Sequence, residues 1–146
     1  MKLSVTSWSF PQCNLSESTG LSNLLGINAI DLGYFYRSAL DKNILLEDYK
    51  KIINEINKYD INYANLYHLF GNSLEDRNLA DINNLEDNKK DLSIVTDFCV
   101  EANIPSIFIL PGVVNPGQSR NDALKNSIES VNKLNEITSK KNIQLL

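Results

Sequence analysis

The sequence alternates short β-type apolar runs with longer amphipathic ones from end to end. Strand-like runs begin near residues 3, 27, 61, 105 and 143, with a helical pattern between each pair. Such alternation selects a parallel sheet joined by right-handed helical crossovers. The order reads β-α-β-α-β-α-β-α-β. Periodicity alone leaves two closures open, a doubly wound sheet or part of a barrel. Length bears on that choice, because 146 residues fall short of the roughly 200 that the smallest complete (β/α)8 barrel needs. No composition shift, Pro/Ser linker or low-complexity tract interrupts the chain, so 1–146 is expected to form a single unit.

The segments can be assigned one by one. Leu3 to Trp8 alternates with period two and predicts a first strand. A short helix carrying Leu21, Leu24 and Leu25 follows, with Ser16 or Ser18 as its N-cap and Gly26 as its stop. Ile27 to Leu32 is a second strand closed by Gly33, and residues 34–45 read as a loop. Tyr49, Ile52, Ile53, Ile56 and Tyr59 fall at helical spacing behind Glu47 and Asp48, which suit a helix start. Ile61 to His68 is a third strand, and residues 71–83 a polar loop. Leu92, Val95, Phe98, Cys99 and Ala102 form the apolar face of the next helix. Ser106 to Leu110 is almost wholly apolar, as a parallel strand covered on both faces would be. A capping-box-like Ser119-Arg120-Asn121-Asp122 opens a last helix with a stripe of Leu124, Ile128, Val131, Leu134 and Ile137. Ile143 to Leu146 is a fifth strand.

Composition removes several function classes. Apolar residues at 42% are too many for a disordered chain, and no run is long enough to span a membrane. The opening Met1 to Ser7 turns polar too early for a signal peptide. A net charge of −4 argues against general binding to nucleic acid or to an anionic membrane. Cys13 and Cys99 belong to no zinc motif and read as free thiols, Cys99 buried, in a reducing cytoplasm. Neither GxGxxG, GxxxxGK[ST] nor GxSxG occurs, which removes dinucleotide, P-loop and serine hydrolase chemistry.

In parallel α/β architectures the ligand site lies at the C-terminal ends of the strands. Those ends carry Trp8-Ser9-Phe10, then Asp31-Leu32-Gly33-Tyr34, then Tyr67-His68, then Pro111-Gly112 with Asn115 beyond. Aromatic faces suit the C–H surfaces of a polyol, and His or Asp can bind its hydroxyls. The candidate substrate-binding residues are therefore Trp8, Phe10, Asp31, Tyr34 and His68. Each has a plainer alternative: His68 as a satisfied structural histidine, Asp31 as an anchor for loop amides, the aromatics as core beneath the loops. Arg37 suits a solvent-facing or ion-paired role, and Glu86 to Asp91 a solvated helix face. No catalytic or metal-ligating residue is identified.

These segments resemble the sugar phosphate isomerase/epimerase family, the xylose isomerase-like TIM barrels. The resemblance rests on Ser4 to Phe10, on Gly26 to Leu32, on Ala102 to Pro105 running to Pro111-Gly112, and on Asn142 to Leu146. It covers nearly all of the chain but only the N-terminal half of a family member. It implies a partial (β/α)8 barrel of five parallel strands. It further implies a parent that moves a proton next to a sugar carbonyl with the help of a divalent metal (Mn, Mg, Co or Zn). The family's metal ligands begin with a Glu at the end of the fifth strand, so none is expected in this chain alone. The implied substrate is a small sugar, polyol or keto acid; no nucleic-acid or membrane partner is expected. Two alternatives stand beside this reading. One is a non-catalytic half-barrel that associates, as a homo-oligomer, through its open edges. The other is an apurinic-endonuclease-like repair enzyme, in which His68 matches a zinc-binding His but Leu110 replaces a second one.

Overall fold

The computed structural model describes residues 3–34 and 40–146. Five parallel strands form one sheet in the order β1-β2-β3-β4-β5. They are β1 (Val5–Thr6), β2 (Ala29–Gly33), β3 (Asn62–His68), β4 (Ser106–Ile109) and β5 (Gln144–Leu145). The helices are α1 (Leu15–Leu24), α2 (Lys42–Asp48), α3 (Lys50–Ile56), α4 (Leu85–Glu101) and α5 (Arg120–Ser139). The unbroken strand order, with a helical connection between consecutive strands, is that of a partial (β/α)8 barrel rather than a doubly wound sheet.

The core lies between the sheet and the helices. Ile30, Leu32, Leu66, Ile107 and Ile109 come from the sheet, and Leu45, Ile53, Ile56, Leu92, Val95, Phe98 and Leu134 from the helices. Cys99 is buried there, and desolvation pushes its thiol pKa up. The other sheet face is concave and open.

A single extra residue in β3 sets which side chains occupy which face. Ile30 pairs with Tyr63, but Asp31 pairs with Asn65, so Ala64 is a bulge. Below it Tyr63 points into the core; above it Leu66 and His68 do. Asn65 and Tyr67 therefore stand on the concave face.

Several elements differ from the sequence expectation. The first strand ends at Thr6, because Ser7–Ser9 tighten into a 3-10 turn capped by the Thr6 side chain. The α1 cap is Asn14 rather than Ser16 or Ser18. Asn14 accepts from the Glu17 amide, and Glu17 accepts from the Asn14 amide, a complete capping box. The expected α1 stripe faces solvent: Leu24 and Leu25 are exposed, while Leu15, Ser18, Thr19 and Ser22 are buried. In α5 the expected stripe is split: Leu124 and Ile128 are exposed, Leu134 is buried as its spacing predicts, and Ala123, Ser130 and Thr138 are buried beside it. Both helices stand at an end of the sheet, and α5 packs chiefly on α4. Helical structure begins at Lys42, inside the expected loop, because the Asp41 carboxylate accepts from the amides of Asn43 and Ile44. The break between α2 and α3 falls at Tyr49.

Candidate functional site

Strand register arranges the concave face in two rows. The lower row is polar: Thr6 lies beside Asp31, Asp31 beside Asn65, and Ser106 beside Gln144. Leu66 pairs with Ile107, which sets Asn65 next to Ser106, and the Ser106 hydroxyl donates to Asn65 Oδ1 at 3.0 Å. At the row's other end Ser4 Oγ donates to Asp31 Oδ2 at 3.0 Å.

The upper row is aromatic. Tyr67 pairs with Gly33 on one side and Phe108 on the other. Its ring stacks on Phe108 at 5.2 Å between centroids and meets the Trp8 ring edge-on at 4.3 Å. Trp8 lies over Gly33 because there is no side chain there; a Cβ on Gly33 would stand 2.7 Å from the indole nitrogen. Ser7 fixes the turn that carries Trp8, since its buried hydroxyl accepts from the Gly33 amide at 3.0 Å.

Behind the sheet, above the core, lies a second group. The Tyr34 hydroxyl shares a hydrogen bond with His68 Nδ1. Phe70 meets the imidazole edge-on at 4.6 Å. His68 is fully buried, and its Nε2 has no hydrogen-bond partner among the described residues. Burial, with a smaller contribution from the Arg77 charge, pulls its pKa down to about 3, so the ring is neutral at physiological pH.

The loop after β3 is fastened to its neighbours by side chains. The Lys42 ammonium donates to the carbonyls of Leu69 and Gly71. Arg77, at φ +53°, donates to Asp91 at 2.7 Å and to Asn88 at 3.2 Å. Asn78 donates to the Glu75 carbonyl and to Asn115, and its Oδ1 accepts from the Ala80 amide. Gln118 and Asn126 both donate to the Ala80 carbonyl, and Ser130 donates to that of Leu79. Side-chain amides thus tie this loop to the loop after β4 and to α5.

No protein-family model and no curated protein matches the chain. Solved structures do match, 32 chains in all. The IolI protein with a bound zinc atom superposes with a TM-score of 0.74 at 14% identity, over 99% of this chain and 50% of its own. D-psicose 3-epimerase from Clostridium cellulolyticum, solved with D-tagatose, gives 0.71 at 12% identity, over 99% and 51%. A family 2 AP endonuclease from Brucella melitensis gives 0.72 at 15% identity, over 99% and 54%. The fold is half of a TIM barrel, as in these solved structures. The half-barrel spans about half the length of each of these solved chains.

The half-barrel separates the residues singled out from sequence. Trp8 and Asp31 share the concave face, in different rows. Tyr34 and His68 meet each other on the opposite face. Phe10 is half-buried at the end of the 3-10 turn, where its amide donates to the Ser7 carbonyl. Arg37 lies outside the described residues. The pattern reading missed Asn65, Ser106 and Phe108, and placed Tyr67 at a strand end without selecting it. The strand register that assembles them is signalled only weakly, by apolar Tyr63 and Leu66 standing three apart within one strand.

The described residues do not fit a divalent metal. Among them no group of three or more His, Cys, Asp or Glu could hold one. The His68 ring sits against Tyr34 and Phe70, and the charge that perturbs it is the cationic Arg77. Among the described residues no helix is long and apolar enough to cross a membrane.

Proposed function

We propose that the chain supplies ligand-holding walls of an isomerase- or epimerase-type barrel acting on a small sugar, polyol or keto acid. The observation that carries this reading is the pairing of an aromatic row with a polar row on one open face. Trp8, Tyr67 and Phe108 offer ring surface to the C–H face of a sugar. Asp31, Asn65 and Ser106, one row below, offer acceptors and donors to its hydroxyls. The Tyr34–His68 pair backs the same strand ends and holds the tops of β2 and β3 together.

Moving a carbon-bound proton requires a cation or donors at the developing oxyanion and a base within reach. A divalent metal would supply that in a complete barrel, and Mn, Mg, Co and Zn are the candidates. This chain's part is to bind and orient, and no proton-transfer step is assigned to its residues. The solved epimerase complex with D-tagatose supports the sugar class.

Trp8 is the only tryptophan, so it reports on the face directly. Titration with D-fructose or D-tagatose is expected to change its fluorescence saturably, with a Kd of order millimolar for so small a ligand on a half-open face. The Tyr67→Ala variant is expected to lose the response. A flat titration of the folded wild-type chain would remove the reading.

A second reading, an associating half-barrel, is favoured by the outward leucines of the end helices. Leu24 is 84% exposed and Leu124 61%. Light scattering is expected to give a discrete dimer if these faces mediate association, and a monomer at micromolar concentration would dismiss it.

A further inference from the structure

We infer that the mouth formed by this chain selects uncharged polyhydroxy ligands and disfavours phosphorylated or carboxylated ones. The inference rests on the sugar-binding reading above and deepens it by naming the ligand's charge. In a βα-barrel the helices begin just after the strand ends, so their N-termini surround the mouth. Free N-terminal amides attract anions, which is how such folds commonly hold phosphate.

Here the chain's own oxygens cap α1, α2 and α5, whereas α4 has no side-chain cap at Asn84 and carries carboxylates in its first turn instead. Asn14 and Glu17 close α1. Asp41 accepts from Asn43 and Ile44 at the start of α2. Asp81 accepts from the Asn83 amide in the turn before α4. Ser119 accepts from the Asp122 amide at the start of α5, and its hydroxyl donates to the Asp122 carboxylate. Glu86 and Asp87 add two more carboxylates to the first turn of α4.

The cations at this end are committed elsewhere. Arg77 is held by Asp91 and Asn88. Lys42 is directed at two backbone carbonyls. Lys89 and Lys90 pair with Glu86 and Asp87. Arg120, exposed at the first position of α5, is the remaining positive group among the described residues at this end. Among the described residues, an incoming anion meets capped amides at α1, α2 and α5 and carboxylates at the start of α4, whereas a neutral polyol needs only hydroxyl partners and ring faces.

The test is a pair of Trp8 fluorescence titrations, with D-fructose and with D-fructose 6-phosphate, at low ionic strength and at high salt. The free sugar is expected to bind roughly tenfold better at low salt, with the gap closing as the Debye length shrinks to about 3 Å near 1 M. Asp41→Asn with Asp81→Asn keeps both caps, since Asn caps as well as Asp, but removes two charges. That double variant is expected to narrow the low-salt ratio while leaving the free-sugar affinity unchanged. Equal or tighter binding of the phosphate ester at low salt overturns the inference. So does a ratio that neither salt nor the double variant moves. If neither compound changes the fluorescence, the sugar-binding reading falls first and this one with it, so the two failures are distinguishable.

Discussion

Acidification is expected to destabilise this chain steeply through one residue, His68. Its imidazole is neutral and fully buried, with a pKa near 3 in the folded state. In the unfolded chain the same group titrates near 6.5. Between those values the unfolded state binds a proton that the folded state refuses. Stability is therefore fully present above about pH 6.5 and is lost as pH falls toward 3. At about 1.4 kcal/mol per unit, the whole window is worth up to about 5 kcal/mol. That is comparable to the entire stability of many domains. Carboxylates titrate in the same range, so the informative quantity is a difference. Urea midpoints of the wild type and His68→Gln, measured from pH 7 to pH 3, are expected to converge on acidification as the wild type loses stability faster. Parallel curves would mean that His68 is solvated in the folded chain.

Gly112→Ala is the second large effect expected. Gly112 adopts φ +103° in the loop after β4, a conformation that strains residues with a Cβ. An added Cβ would also stand 2.8 Å from the Ala80 amide nitrogen and 3.1 Å from that of Leu79. Both neighbours are backbone, and Asn78, Asn126 and Gln118 hold this segment in place. Strain and clash together are expected to cost about 3 kcal/mol. Gly26→Ala is the control. Its φ is +71°, yet nothing lies within 4 Å of the added carbon, so about 1 kcal/mol is expected from conformation alone. Equal losses in the two variants would mean that the loops after β3 and β4 separate at little cost.

Most strands and helices were legible because burial imposes a period on them. Ile107 and Ile109 in β4, and Leu92, Val95, Phe98 and Cys99 in α4, occupy core positions as their spacing predicts. Periodicity fails where apolar residues are left outside. Leu24 and Leu25 at the end of α1 and Leu124 and Ile128 in α5 have the right spacing but face solvent, and Ser18, Thr19, Ser22 and Ser130 turn inward, while Leu134 stays in the core as its spacing predicts. The break at Tyr49 is invisible to a method that assumes unbroken helices. The amide network of Asn78, Asn115, Gln118 and Asn126 escapes for a different reason. Each residue reads as an ordinary loop or surface amide, and only their meeting across β3, β4 and α5 gives them a function. Of the candidate site, the types of residue at the strand ends were legible, but the face each one occupies was not. Trp8 and Asp31 stand on the open face, while Tyr34 and His68 are turned to the other side.

The bulge at Ala64 gives β3 two phases on one strand, and chain length enforces the arrangement. Its lower half sends Tyr63 inward, and its upper half sends Leu66 and His68 inward. Deleting one residue there would restore a single phase, which the strand cannot adopt without loss. Either Tyr63 would leave the core, or His68 would exchange sides with Tyr67 and enter the cleft. An indel of one codon, with no change of residue type, could thus trade an aromatic wall for a titratable nitrogen. In a lineage of such barrels, the chemistry shown to the ligand can change by a shift in the count of residues.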